Sequence, residues 1–593
     1  MKQNIKKKSK KMSRKHVLLI YPTIIGEIPN CIAQIASVYQ DEGYDVTTAV
    51  NTFKKPLTNK DFIQMAEDCK ADHIGISTLT YEMLLTYELI KSFKDLGYTV
   101  IVGGPHASTR PEEVVLAGAD IVIRNEGEDT LREVCKFWRG ESLNEDKEEL
   151  NKKWVGRTDK GLKVPDEVTE KPSEGLGSIL GITYYDKVKK EIVSTPARRR
   201  IADLGKLPKP NYDVFDHSHF SDEDGMVRGT NRIFTSRGCP ATCTFCDWGV
   251  FGQRVTFQNI SLIIAEMQRR VDMYGTTNFK IADDVFTVNK KHVDAFCKEV
   301  VKITPRVEWQ AQTRAEFVSP EMMQQMKDAG CYLVNFGLES GDQETLTKMD
   351  KMCNVQQNTD APKQAAAAGL KVYANLMIGF PWETAKHINN TLKMVYEIWD
   401  DVFLFQVSGS LVPYPGTRVY DQYVKEFPQF KDYWLKKGEF QKFGIQTYQN
   451  TANPYAVSTY YQRNLFDDSY IQDEAFFTYT KEYKKKVAEF VFEIGRHNLE
   501  NIYQNNIIKQ KFLMGVSKLS YYTYKIFPKL EMKLGGFLYE IVKYFRPKGK
   551  RANAEHVRSL RRGFGKKSQK EFISRRIAKS QNKASSLSYE NWV

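Results

Sequence analysis

The sequence predicts an α/β protein with an amino-terminal doubly wound, Rossmann-like domain, a partial (β/α)6 barrel and a helical carboxy-terminal region. Two separate stretches alternate strand-like apolar runs with helical patterns, at the spacing of right-handed βαβ units and a parallel sheet. Beyond residue 420 that rhythm stops and the chain turns aromatic and helical. The length, 593 residues with 41% hydrophobic and 27% charged content, suits several globular cores and excludes a mostly disordered, collagen-like or disulfide-stapled protein.

In order, residues 1–15 form a basic tail and 16–140 the doubly wound domain. HVLLIYP (16–22) reads as a buried strand, 32–44 as a helix closed by Gly43, and 45–50 and 71–78 as strands. A helix over 83–98 ends at Gly97, and strands 99–104 and 120–127 complete the series. Ligands of such sheets sit beyond the carboxyl ends of the strands. This directs attention to the turns at Ser77-Thr78, Gly103-Gly104-Pro105-His106 and Glu126-Gly127. Residues 141–230 read as a connecting segment with one hairpin at 179–194. From 231 to 420 the alternation resumes as about six strand–helix units, whose chemistry belongs at the carboxyl ends of the strands. Residues 421–545 form the helical region and 546–593 a second basic tail.

The net charge of +14 belongs to the ends: residues 1–15 carry eight Lys/Arg without an acid, 543–593 carry fifteen against three Glu, and 16–542 sum to −6. Such runs read as solvated tails, with nucleic acid or an anionic membrane as the alternative partners. No apolar run reaches the ~18 residues of a membrane span, and Val17–Ile25 is too short for an export signal. Nine scattered cysteines then imply a reducing, cytoplasmic setting, with peripheral membrane contact conceivable through a basic amphipathic helix near 511–545.

Three of those cysteines need separate explanation. TSRGCPATCTFCDWG places Cys239, Cys243 and Cys246 as C-x3-C-x2-C at the end of the first barrel strand. Three thiolates on one loop can hold three irons of a 4Fe–4S cube and leave the fourth open. The competing zinc knot calls for a second knuckle, and none follows.

C-x3-C-x-aromatic-C, with Phe245 as the aromatic, resembles the radical S-adenosylmethionine (SAM) superfamily, and IGIST (74–78), VGGPHAS (102–108) and NEGED (125–129) ahead of it resemble the cobalamin-binding class of that superfamily. The resemblance implies that Cys239, Cys243 and Cys246 hold a 4Fe–4S cluster whose open iron chelates SAM. It implies that Asp283 and Asp284 on the second strand, Arg314 on the third, Glu339 and Ser340 on the fourth and Gly379 on the fifth surround the SAM, together with Phe245. Cobalamin is expected over Ser77, Thr78, Gly103, Gly104, His106, Glu126 and Gly127, without a histidine on cobalt because the Asp-x-His-x-x-Gly motif is absent. The implied activity is methylation of an unactivated carbon through a 5′-deoxyadenosyl radical. One SAM would methylate the cobalamin and a second would be cleaved at the cluster, with flavodoxin or ferredoxin as electron donor and a small molecule or lipid-like substrate.

The alternatives are radical ring closure or rearrangement with the same cofactors, and a catalytically silent binding protein of the same fold. A third is a methylthiotransferase, which needs Cys31, Cys69 and Cys135 to hold a second cluster. Cys31 and Cys135 lie in helical patterns, where a free cysteine is usually a small buried hydrophobe, and Cys331 and Cys353 read as packing residues.

Overall fold

The computed structural model describes residues 14–52, 54–141, 175–221, 227–428, 431–436, 480–502 and 511. Apart from Arg14, Lys15 and Lys511, the basic tails and the amphipathic helix expected near 511–545 lie outside the described residues. The chain divides into two compact units: Met1–Gln312 with Lys348–Met352 and Val412–Ala456, and Thr313–Thr347 with Cys353–Leu411 and Val457–Val593.

The first unit opens with β1 (His16–Ile25), β2 (Asp45–Thr52), β3 (His73–Ser77), β4 (Thr99–Gly103) and β5 (Ile121–Ile123). They pair in parallel in the order β2-β1-β3-β4-β5. The order reverses between β1 and β3, which makes their carboxyl ends the topological switch point where such sheets take ligands. Fully buried Val17, Leu18 and Ile20 show why β1 reads as a continuous apolar run: helices cover both faces of the sheet. The helices at Asn30–Asp41 and Glu128–Trp138 pack together; buried on them are Ala36 and also Ile32, Leu131 and Val134, the last three contributing roughly 1.5–3 kcal/mol each.

Two results depart from the periodicity. β5 is only three residues long, because Arg124 N already bonds Gly181 O and Asn125 turns to φ +62°. The hairpin of the connecting segment, β6 (Ile182–Asp186) and β7 (Glu191–Ser194), joins the same sheet antiparallel to β5. That segment therefore contributes two strands of the amino-terminal domain.

β8 (Arg232–Ile233) breaks off after two residues, and β9 (Ser236–Arg237) pairs antiparallel with β10 (Thr256–Phe257). β11 (Asn278–Ile281) lies parallel between β8 and β12 (Glu308–Thr313). The second unit carries β13 (Cys331–Glu339), β14 (Lys371–Ile378) and β15 (Leu404–Ser410), parallel in that order. With β8, β11 and β12 these are the six strands expected of the partial barrel. Helix Lys481–Ile502 packs on helix Ala385–Glu397 and on β15, where Tyr483, Phe490 and Ile494 are buried.

Candidate active site

The β9–β10 pair clips the base of the cysteine loop. Gly238 stands at φ +96°, and a Cβ there would lie 2.3 Å from the Arg254 carbonyl oxygen, so no other residue fits. Within the loop Cys239 N donates to Gly252 O (3.3 Å) and Cys246 N to Cys243 O (3.2 Å), while Thr244 N donates to Met349 O (2.9 Å). Cys243 is buried, and Cys239, Phe245 and Cys246 are half-buried. The buried Thr244 Oγ1 has no hydrogen-bond partner among the described residues. Three thiols on a pinned loop beside an unsatisfied hydroxyl fit an iron–sulfur cube, which binds each thiolate through a different iron. A zinc knot would draw its ligands to one point. Among the described residues no three Cys, His, Asp or Glu side chains converge in that way.

The loop is also tied to the amino-terminal sheet. Arg237 pairs with Glu126 and with Glu128, both at 2.8 Å, and all three side chains are buried or nearly so. The second Glu126 oxygen accepts from Ile201 N (2.9 Å). Glu126, expected against the corrin, is thus committed on both oxygens, and its role is corrected to an anchor for the loop. Three further expectations need correction for the same reason. Asp283 is fully buried and accepts from Thr235 N (2.6 Å), Ser236 N (3.0 Å) and both hydroxyls, so it fixes the break between β8 and β9 and does not face a ligand. Burial pushes its carboxyl up to about 6 against those four bonds. His106 is buried with Nδ1 on Thr80 Oγ1 (3.0 Å) and Nε2 on Glu113 (3.3 Å), leaving neither nitrogen for a cofactor. Thr78 is buried with its hydroxyl on Thr86 (2.9 Å).

The neighbouring groups remain available. Asp284 is exposed and accepts one bond, from Gly238 N (3.0 Å), so it faces the cluster loop where Asp283 does not. Ser77 is half-buried at the end of β3, and Gly127 would bring a Cβ within 3.3 Å of Ile123. Gly103 has room for a Cβ, its nearest atom being Ile123 O at 3.7 Å. Gly104 has none: at φ +102° its Cβ would lie 2.8 Å from Thr78 O and 2.9 Å from Thr78 N. The β3 and β4 turns close on each other through that glycine.

In the second unit Glu339 ends β13 at φ +63°, a conformation a non-glycine residue rarely holds without cause. Ser340 is buried against Thr391 (3.1 Å), and Asn358 donates to the carbonyls of Leu338 (2.8 Å) and Ser340 (2.9 Å), fixing the turn. Arg314 is buried and forks onto Glu316. Trp309, in the first unit, is wholly core, edge-on to Phe286 and Phe296. Gly379, at φ +85°, donates to Glu383 (2.7 Å) and to the Tyr483 hydroxyl (3.0 Å). Glu383 also accepts from Phe380 N (3.1 Å) and Tyr483 (2.9 Å), and burial raises its carboxyl to about 7. Glu383, Tyr483 and Asn358 join these turns without being expected from the sequence. A carboxylate four residues beyond the Gly379 turn was a readable signal for the first. Nothing marked a tyrosine a hundred residues away.

The remaining cysteines do not assemble. Cys31 is exposed on the first turn of its helix, which corrects the expectation of burial, whereas Cys69 caps helix Asn59–Asp68 and Cys135 is fully buried. The three sit in different surroundings, Cys31 beside Ser77, Cys69 beside Thr47 and Cys135 beside Tyr44. Cys331 and Cys353 are buried, as packing residues are.

Both α/β stretches match known families. The B12 binding domain model matches residues 27–135 and the Radical SAM superfamily model matches residues 233–395. An uncharacterized methyltransferase of Pyrococcus horikoshii is 29% identical over 398 residues, 66% of this chain and 78% of that one. The anaerobic magnesium-protoporphyrin IX monomethyl ester cyclase of Cereibacter sphaeroides is 21% identical over 66% of this chain and 60% of its own. Among solved structures, the cobalamin-dependent S-adenosylmethionine radical enzyme OxsB with aqua-cobalamin bound superposes with a TM-score of 0.59 at 16% identity, covering 93% of this chain and 84% of that one. No helix among the described residues is long and apolar enough to cross a membrane.

Proposed function

Because this chain belongs to the radical SAM proteins that carry a B12-binding domain, we propose that it is a cobalamin-dependent methyltransferase acting on an unactivated carbon of a small molecule. The observation that carries the reading is the cysteine loop, pinned at Gly238 by Asp284 and anchored to the B12-binding sheet through Arg237, Glu126 and Glu128. When bound, the cluster and SAM supply a hydrogen-abstracting 5′-deoxyadenosyl radical, and cobalamin supplies a transferable methyl group.

The protein's own residues hold and orient. Cys239, Cys243 and Cys246 are the cluster ligands, and the free oxygen of Asp284 is set to receive the SAM ammonium. The strained Glu339 turn, fixed by Asn358 and Thr391, presents a carboxylate to a ribose hydroxyl. Gly379, held by Glu383 and Tyr483, would flank a flat base. Orientation of this kind converts a bimolecular encounter into a near-unimolecular one. A reduced flavodoxin or ferredoxin delivers the electron.

A second reading, ring closure on the same cofactors, is favoured by the likeness to the cyclase. Anaerobic reconstitution with iron, sulfide, SAM, hydroxocobalamin and reductant separates the two. Methylation yields both 5′-deoxyadenosine and S-adenosylhomocysteine, ring closure yields the first alone, and absence of both products rejects the proposal.

A further inference from the structure

The cysteine loop is touched by a cation that no role described so far uses. Arg200 follows the hairpin of β6 and β7, and its position is set by its neighbour Ile201, whose amide binds the Glu126 carboxylate that also holds Arg237. From there the half-buried guanidinium reaches the loop. Its Nη2 donates to Trp248 O (3.4 Å), and the same carbonyl accepts from Gly252 N (2.9 Å), closing the turn that follows Cys246. The guanidinium also lies against Gly252: a Cβ at that glycine would stand 2.7 Å from Nη2, 3.1 Å from Cζ and 3.2 Å from Nε. Gly252 O in turn accepts the amide of Cys239 (3.3 Å). Arg200 thus touches both the turn after the last cysteine and the residue that binds the first.

Its charge is unmatched. Arg200 makes no ion pair among the described residues, and its Nη1 is buried without a hydrogen-bond partner there. Glu126 and Asp247 attract it from beyond ion-pair distance, yet burial outweighs both and pulls its pKa below the usual arginine value. Those carboxylates are committed elsewhere, Glu126 to Arg237 and Ile201 N, Asp247 to Gly249 N (2.7 Å) and Thr109 (3.4 Å). Arg237, by contrast, faces two carboxylates, Glu126 and Glu128. Arg418, bonded to Thr242 O, pairs with Asp350 (2.7 Å), and Arg254 is exposed, where water and salt screen it. A desolvated guanidinium with a spare N–H is costly to keep, and such a group marks a missing anionic partner.

The cluster expected on this loop is an anion. Three thiolates leave the cube negatively charged even when oxidised, and the single electron it takes from flavodoxin or ferredoxin adds to that charge. A cation held at the loop stabilises the reduced form more than the oxidised form. We infer that Arg200 is the counter-charge of the cluster, raising its reduction potential so that it accepts the donor's electron more readily. The inference rests on the cluster reading above and deepens it, because it assigns part of the redox poise to a residue outside the cysteine loop. Arg200 is a tuning residue and touches neither SAM nor substrate in this role.

The test is an anaerobic redox titration of the reconstituted full chain without SAM, with the reduced cluster read by electron paramagnetic resonance. Arg200→Lys keeps the charge, whereas Arg200→Gln keeps hydrogen-bond donors without it. At the potential that half-reduces wild type, the reduced-to-oxidised ratio of Arg200→Gln is expected to fall about tenfold, which for one electron is about 59 mV. Arg200→Lys is expected to stay within about threefold of wild type. Arg200→Met supplies a second neutral side chain, and iron analysis shows which variants load fully. Three results each overturn the inference. One is a wild-type ratio in a fully loaded neutral variant. Another is a fall as large in Arg200→Lys as in Arg200→Gln. The last is loss of iron from both neutral variants, which would make Arg200 a brace for the loop and nothing more. All three leave the proposed function standing. A wild type that takes up no cluster overturns both.

Discussion

Gly104 illustrates how little freedom single positions have at the edge of the B12-binding sheet. Its φ of +102° disfavours any side chain, and a Cβ would press on two backbone atoms of Thr78 that cannot swing away. Gly104→Ala is expected to cost about 1–3 kcal/mol, measured as a lowered urea midpoint with unchanged slope. An unchanged midpoint would show that the β3 and β4 turns can part. His73 makes a second residue-level case. It is buried among Tyr39, Tyr44 and Trp138, and burial lowers its pKa from 6.5 to about 4. The unfolded chain therefore binds a proton that the folded chain refuses between those values. Its contribution is complete above pH 6.5 and is lost as pH falls toward 4, by about 3 kcal/mol in all. His73→Phe, which keeps the aromatic packing, is expected to flatten the stability slope over that window. A slope equal to wild type would place the titration elsewhere.

At the scale of elements, Tyr483 reaches from helix Lys481–Ile502 to the turn after β14, completing with Glu383 a set of bonds around the amides of Gly379 and Phe380. Tyr483→Phe removes one hydroxyl and is expected to cost about 1 kcal/mol locally. Hydrogen exchange at Gly379 and Phe380 should then run several times faster, while β13 stays protected. Equal exchange in both proteins would show that Glu383 suffices alone. This contact also marks where sequence reading stopped. The βαβ rhythm was legible because burial on both faces of β1 or β13 demands apolar runs, and Gly43 and Gly97 showed where helices close. The partners of individual polar groups were not legible. Asp283 and Asp284 are adjacent and chemically identical, yet one is consumed by the β8–β9 break and the other faces the cysteine loop. His106 and Glu126 were read as cofactor contacts because they stand at strand ends. Their partners Glu113 and Arg237 come from other elements, which periodicity does not report.

For the molecule as a whole, the separate surroundings of Cys31, Cys69 and Cys135 predict a single cluster. Iron analysis after anaerobic reconstitution should give about four irons per chain. Exchanging all three of those cysteines for alanine should leave that figure unchanged, whereas replacing Cys239, Cys243 and Cys246 together should abolish it. About eight irons would revive the methylthiotransferase reading.

The chain enters the first compact unit three times, at its start, at Lys348–Met352 and at Val412. The late visits are structural: Met349 receives the Thr244 amide, Arg418 meets Asp350, and Trp434 donates to Glu113 beneath His106. The first unit is therefore not a bead on a string that could be excised by cutting after residue 312. A truncated fragment would leave the Glu113 carboxylate short of one donor and the cysteine loop without one of its props.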